Sequence, residues 1–209
     1  NTFDLAVVDP PYGIGALTMN YCKSGERKYG RMAAKRRDYR RRNDWDIKPE
    51  KEYFDELSRV SKNQIVWGAN YFVEHMHEGH KGWIVWDKGQ HDLTMSDCEL
   101  AYSSFDVPTR VFVKNRVVLK KEGTIHPTQK PVALYKWVIN NYAKDGDIIL
   151  DTHVGSASSL IACRETGHKY VGFEIDEEYY TLARKRLDAS EAQMNIYDFL
   201  GDETRRAPH

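Results

Sequence analysis

The chain is poor in cysteine. Cys22, Cys98 and Cys163 are odd in number and far apart within 209 residues. This excludes a disulfide framework and a paired zinc-ligand spacing, and suits a reducing, cytoplasmic setting. No apolar run approaches the roughly 20 residues that a membrane helix needs. No signal peptide is visible, although the chain begins with Asn1 rather than Met, so a preceding targeting segment stays open. Net charge is zero, so overall charge selects no partner. Internal repeats and Ser/Pro-rich linkers are missing too. The length then suits one domain, residues 1–209, with a substantial core.

What is present is unevenly placed. Residues 21–45 hold ten basic residues against three acidic ones, a local charge of +7 that leaves −7 on the rest. Lys35, Arg36, Arg37, Arg40, Arg41 and Arg42 are the densest part. A basic arm of this kind (residues 16–46) suits contact with a polyanion such as DNA, and equally a solvated loop. It lacks an apolar stripe and reads as an excursion, partly helical around residues 32–42.

The remainder alternates strand and helix patterns. Short apolar runs read as strands at residues 3–9, 63–69, 82–88, 97–105, 109–120, 147–151 and 170–176. Residues 195–200, "NIYDFL", read as a last short strand. Helices are expected over residues 48–62, with Pro49 in the first turn, and over 70–78, 132–143, about 156–166 and 177–190. The fold class is α/β: one Rossmann-like, doubly wound, mainly parallel sheet with right-handed crossovers. His75, His77 and His80 read as a polar helix end, not a metal site, and no metal is expected. Trp67, Trp83 and Trp86 read as packing.

In such sheets ligands bind beyond the carboxyl ends of strands. Two strand ends stand out. "DIILDTHVGSASSL" ends a strand at Asp151 and turns through Gly155 into a helix near Ser156. Glu174 ends the next strand, 23 residues later. Close backbone approach at a glycine, a helix N-terminus facing an anion and an acid for ribose hydroxyls suit a nucleoside cofactor. The full dinucleotide fingerprint is absent, which argues against a nicotinamide-linked dehydrogenase. S-adenosylmethionine, a nucleoside with one carboxylate, fits better.

The second end is "VVDPPYG". Pro10 and Pro11 have fixed φ and no N–H, so the corner is stiff and rich in acceptors. The Asp9 carboxylate and the Pro10 carbonyl stand beside the flat ring of Tyr12. That suits a planar group bearing an NH₂, such as a flipped base. Asp-Pro also begins ordinary turns.

"DPPYG", "HPTQKP" (residues 126–131), "DTHVGSASS" and "GFEID", in this order, resemble the S-adenosylmethionine-dependent amino-methyltransferases of DNA. Having the Asp-Pro-Pro-Tyr motif first is similar to the permuted beta group of that family. The resemblance runs from about Phe3 to Leu187. It implies that Asp9, Pro10, Pro11 and Tyr12 hold and stack on the target base. It implies that Asp151, His153, Gly155, Ser156 and Glu174 hold the cofactor, with Thr128 and Lys130 at its methionine end. "YDFL" resembles the segment beside the cofactor's adenine, which adds Asp198 and Phe199. Asp at the head of the tetrad favours adenine N6; cytosine N4, RNA, or an inactive nucleic-acid-binding module are the alternatives.

The loop departs from the family pattern. Thr152 and His153 stand for Pro-Phe, Ala157 for a glycine and Ser158-Ser159 for Thr-Thr. Room for target recognition is small: the arm and residues 88–125. The resemblance further implies double-stranded DNA as partner, a bacterial or phage origin, a role such as restriction-modification, and allows a homodimer.

Overall fold

The computed structural model describes residues 1–15, 26–27, 34–35, 46–89, 96–115, 124–126 and 128–206, with 26–27, 34–35 and 194–206 as backbone only. Strand β1 (Phe3–Val8) is apolar at every position from Leu5 to Val8 because both of its faces are covered. Leu5 and Val7 pack on one side of the sheet, Ala6 and Val8 on the other. Such unbroken apolar runs mark strands buried on both faces.

A two-residue ladder, β2 (Glu26–Arg27) with β3 (Ala34–Lys35), is antiparallel. It stands where partial helix was expected at Ala34 and Lys35. The rest of the basic arm, including Arg36, Arg37, Arg40, Arg41 and Arg42, lies outside the described residues, as do the side chain of Lys35 and Cys22. Helix α1 (Lys51–Val60) buries Phe54 and Leu57 on its apolar stripe. It begins after Glu50, so Pro49 precedes the helix and is not in its first turn. It runs straight into β4 (Ser61–Trp67), where the Ser61 hydroxyl donates to the Leu57 carbonyl at 2.6 Å.

Two 3₁₀ turns, Ala69–Tyr71 and Val73–His75, replace the short helix expected over 70–78. Strands β5 (Trp83–Asp87), β6 (Cys98–Ser103) and β7 (Arg110–Val113) follow. The remaining elements are α2 (Val132–Tyr142), β8 (Ile148–Asp151), α3 (Ser158–Glu165), β9 (Lys169–Gly172) and α4 (Glu177–Arg206).

The main sheet has seven strands in the order β7-β5-β6-β4-β1-β8-β9. The pairs β1–β4, β1–β8, β8–β9 and β5–β7 are parallel; β6 runs antiparallel to β4 and β5. Leu134, Val138 and Ile139 of α2 cover one face and α1 the other, giving the doubly wound arrangement expected. β6 and β7, which lie within residues 88–125, belong to this sheet, and β6 buries Ala101, Tyr102 and Ser103. Residues 90–95 and 116–123 of that span lie outside the described residues.

One strand expectation fails. Residues 195–200 continue α4 as helix. Ile, Tyr and Phe favour strands, but no Gly or Pro interrupts residues 177–200, and extending an existing helix costs no new nucleus. Among the described residues, no helix is long and apolar enough to cross a membrane.

Candidate active site

The chain leaves β1 toward β4 on one side and returns through β8 on the other. This reversal opens a crevice at the carboxyl ends of β1 and β8, the expected place for a ligand. A cavity of about 510 Å³ sits there. Asp9, Pro10, Pro11 and Tyr12 line one side. His153, Gly155, Ser156 and Glu174 line the other, and His126, Thr128 and Lys130 close the end. Asp151 does not reach this lining. It lies behind it, 2% exposed, accepting hydrogen bonds from the Ser159 hydroxyl and, at 2.9 Å, the His153 N–H. The backbone places Asp198 and Phe199 within α4; their side chains lie outside the described residues.

On the first side the tetrad is tied together. The Tyr12 hydroxyl donates to Asp9 Oδ1 at 2.7 Å. Lys130 Nζ donates to Asp9 Oδ2 and, at 3.1 Å, to the Tyr12 oxygen. Lys130 thus meets Asp9 directly, a contact that its expected place at the cofactor's tail did not include. Burial raises the Asp9 carboxyl above its usual range, while Lys130 and Tyr12 favour its ionised form. Burial, with Asp9 adding to it, holds the Tyr12 hydroxyl protonated far above the usual tyrosine range.

Sequence reasoning missed what supports Tyr12. Tyr71 stacks on its ring with centroids 5.0 Å apart, and Phe72 meets its edge at 6.1 Å. Gly68, at φ +68, lies beneath; a Cβ there would come within 2.0 Å of Tyr12 Cε1. Gly68→Ala is therefore expected to push the ring from its place and to cost about 2 kcal/mol, roughly half of it from the left-handed backbone. Urea melts should show the loss. An unchanged midpoint would refute the packing assigned to this glycine.

On the second side, Glu174 fixes the glycine loop. Its Oε2 accepts the Gly155 N–H at 2.8 Å and its Oε1 the Asp176 N–H at 2.9 Å. Gly155 is at φ +52. Phe173 and Ile175 flank Glu174 as exposed apolar groups on the cavity, 57% and 100% exposed. The alternation in "GFEID" carried that signal.

The departures at 152 and 153 form a local cluster. Thr152 Oγ1 bonds the Tyr53 hydroxyl at 2.7 Å and His153 Nδ1 at 3.0 Å, and the Tyr53 ring meets His153 edge-on at 5.4 Å. The polar ring thus has partners where the family packs an apolar one. Ala157 has φ +60, the only non-glycine in the left-handed region among the described residues. The Ser156 and Ser158 hydroxyls lie 3.0 Å apart, and Arg186 Nη1 donates to the Ser156 carbonyl at 2.7 Å.

Burial pushes the Asp151 carboxyl up to about 7, and pushes the His126 and His153 imidazoles down to about 4. A raised carboxyl contributes stability below its unfolded value near 4 and loses it as pH rises through 7. Asp151→Asn removes that dependence. The stability of the variant relative to the parent is expected to rise between pH 4 and 7, by roughly 1.4 kcal/mol per pH unit at most. The two histidines act in the opposite direction, destabilising both proteins as pH falls below about 6.5. Urea melts across this range give the difference, and a flat difference would contradict the burial argument.

Among the described residues, no group of three or more His, Cys, Asp or Glu is placed to hold a metal ion. His75 instead stacks on Phe54 at 4.9 Å, and His80 bonds the Phe105 carbonyl at 3.1 Å.

The family model N6_N4_Mtase, described as DNA methylase, matches residues 28–185, about three quarters of the chain. The chain belongs to this family. The match begins after the Asp9–Tyr12 corner. Among curated members, the type II methyltransferase M.HpaI of Haemophilus parainfluenzae is 37% identical over 84 residues, 40% of this chain and 26% of that protein. The DNA adenine methyltransferase YhdJ of Escherichia coli K12 is 39% identical over 90 residues, 43% of this chain and 31% of that protein. The matched stretch thus spans under a third of either relative's length. In overall fold the chain is similar to M1.HpyAVI, solved as a SAM complex: TM-score 0.57, 19% identity, 88% of this chain and 89% of that one. It is also similar to the PvuII DNA methyltransferase, a cytosine-N4-specific enzyme: TM-score 0.53, 13% identity, 88% and 79% covered. The fold expected for the family, one doubly wound, mainly parallel α/β sheet of the class I methyltransferase kind, is the one observed, with seven strands.

Proposed function

We propose that this chain transfers the methyl group of S-adenosylmethionine to the exocyclic N6 amine of an adenine flipped out of double-stranded DNA. The observation that carries the reading is the placement of the Asp9–Tyr12 corner opposite the Gly155–Glu174 loop across one cavity.

The residues fit the cofactor. The cavity volume is in the range of small-molecule sites, about 300–1,000 Å³. Glu174 offers a carboxylate for ribose hydroxyls, and Phe173 and Ile175 offer apolar surface to a purine ring. Gly155 allows close approach, and Ser156 and Thr128 line the polar end. When bound, S-adenosylmethionine supplies an electrophilic methyl group carried on sulfur.

The protein's part is to prepare the amine. Its lone pair is delocalised into the base ring. Asp9 and the Pro10 carbonyl accept its two N–H bonds and favour a pyramidal nitrogen. Tyr12 stacks on the base, its ring held in place by Tyr71 and Phe72. Orientation of this kind supplies up to about 7–11 kcal/mol. As the N–C bond forms and the C–S bond breaks, the nitrogen becomes cationic, and the Asp9 carboxylate stabilises that charge. The nitrogen then releases one proton, for which the same Asp9 hydrogen bond is an exit. The basic arm grips phosphates, so binding weakens as salt rises.

Asp9 at the head of the tetrad favours adenine. The DNA adenine methyltransferase among the relatives supports it; the cytosine-N4-specific fold neighbour supports the second reading. Mass spectrometry of nucleosides from mixed-sequence duplex DNA and, in a parallel reaction, from RNA of matching sequence, after reaction with labelled cofactor, separates them. The expected product is N6-methyladenine. Label confined to N4-methylcytosine would replace adenine with cytosine, and label in RNA alone would replace DNA.

A further inference from the structure

Two charged groups lie behind the corner and outside the cavity lining. Lys130 Nζ reaches Glu99 Oε2 at 3.1 Å, and Glu99 Oε1 reaches Lys88 Nζ at 3.0 Å. With Asp9 this makes a chain of alternating charge: Asp9, Lys130, Glu99, Lys88. The Lys130 and Lys88 side chains are 1% and 7% exposed. Lys88 also donates to the Ser96 carbonyl at 3.2 Å.

An ammonium has three N–H donors. Lys130 directs one to Asp9, one to the Tyr12 oxygen and one to Glu99. Each Asp9 oxygen therefore accepts one bond, from Tyr12 or from Lys130, and keeps a lone pair. Without Glu99 the third donor turns toward Asp9, and Lys88 is left as a buried cation without its carboxylate partner. That excess charge opposes a reaction in which a nitrogen becomes positive.

Resting on the methyl-transfer reading, we propose that Glu99, braced by Lys88, is a positioning residue that draws the Lys130 ammonium off Asp9 and so keeps Asp9 open to the target amine. Burial works against the Glu99 charge, but Lys130 and Lys88 outweigh it and hold its carboxyl at about 2. Burial likewise works against the Lys130 charge, and Asp9 and Glu99 outweigh it. The groups facing Lys130 are Asp9, Tyr12, Glu99, His126 and the Trp67 ring, with Lys88 behind Glu99.

The test compares the parent chain, Glu99→Gln and Glu99→Gln/Lys88→Met. In the single variant one amide oxygen is contested by two ammonium groups. In the double variant it is free to serve Lys130. Lys130 is titrated by NMR of lysine-labelled protein without DNA or cofactor, and single-turnover transfer is followed against pH. We expect Glu99→Gln to titrate Lys130 about one pH unit lower or more. Its transfer falls roughly tenfold to a hundredfold, with cofactor affinity kept, and the double variant recovers most of the rate. A parent that transfers while Glu99→Gln keeps its rate, pH profile and Lys130 titration would overturn the inference alone. A folded parent that methylates nothing would overturn the methyl-transfer reading, and this inference with it. Should Glu99→Gln fail to fold, Glu99→Gln/Lys88→Met is set against Glu99→Leu/Lys88→Met. Only glutamine offers Lys130 an acceptor, so it should be at least about tenfold faster; equal rates overturn the proposal.

Discussion

Asp9→Ala is expected to reduce methyl transfer by about a hundredfold to a thousandfold, the scale seen when a charge-stabilising group is lost from a reacting centre. The alanine can neither accept the amine N–H nor oppose the charge that forms on nitrogen. It also frees the Tyr12 hydroxyl and leaves Lys130 with Glu99 as its one ionic partner. Breaking a buried pair in this way costs about 3–5 kcal/mol, so a melt must accompany the assay. Asp9→Asn keeps the shape and one acceptor and separates the two effects. It should fold better than the alanine variant while still losing most transfer. Cofactor binding, measured by calorimetry without DNA, should change little in either. Transfer within tenfold of the parent by the alanine variant would remove Asp9 from the mechanism.

Glu174→Ala should give the opposite pattern. One carboxylate holds the N–H groups of both Gly155 and Asp176. Hydrogen bonds to charged groups contribute about 1.5–3 kcal/mol each. Losing them loosens the loop and removes the acceptor offered to a ribose. Cofactor affinity should fall by about a hundredfold or more, a loss of about 3 kcal/mol. At saturating cofactor, transfer should recover a large part of the parent rate. A variant whose affinity is unchanged would show that the ligand sits elsewhere in the cavity. Together the two variants separate the side proposed to act on the amine from the side proposed to hold the cofactor.

Both sides were legible because their signals are local. β1 showed itself as an apolar run ending in a proline corner, and β8 as another, ending in Asp151 before a glycine turn. The parallel pairing of β1 with β8 then brings them together. What the sequence hid depends on distant contacts. No spacing links Lys130 to Glu99, or Gly68 to Tyr12, because these meet only when β4, β6 and β1 lie side by side. Asp151 looked like a cavity residue because strand-end acids often are, yet Ser159 and the His153 N–H hold it behind the wall. Residues 195–200 misled for another reason. Their side chains favour strands, and only the unbroken helix before them decides otherwise.

The left-handed Ala157 has an evolutionary consequence. Alanine there costs about 1–2 kcal/mol of backbone strain relative to glycine. Its methyl group, however, is fully buried beside Val154, Leu160 and Ile161, and burying one such carbon returns about 0.8 kcal/mol. The second term offsets roughly half of the first. Alanine and glycine codons differ by a single base, so one base change exchanges these residues at this position at a net cost of about 1 kcal/mol or less. A loop that has lost one of its glycines can therefore keep its shape, and its sequence can wander further than its geometry does.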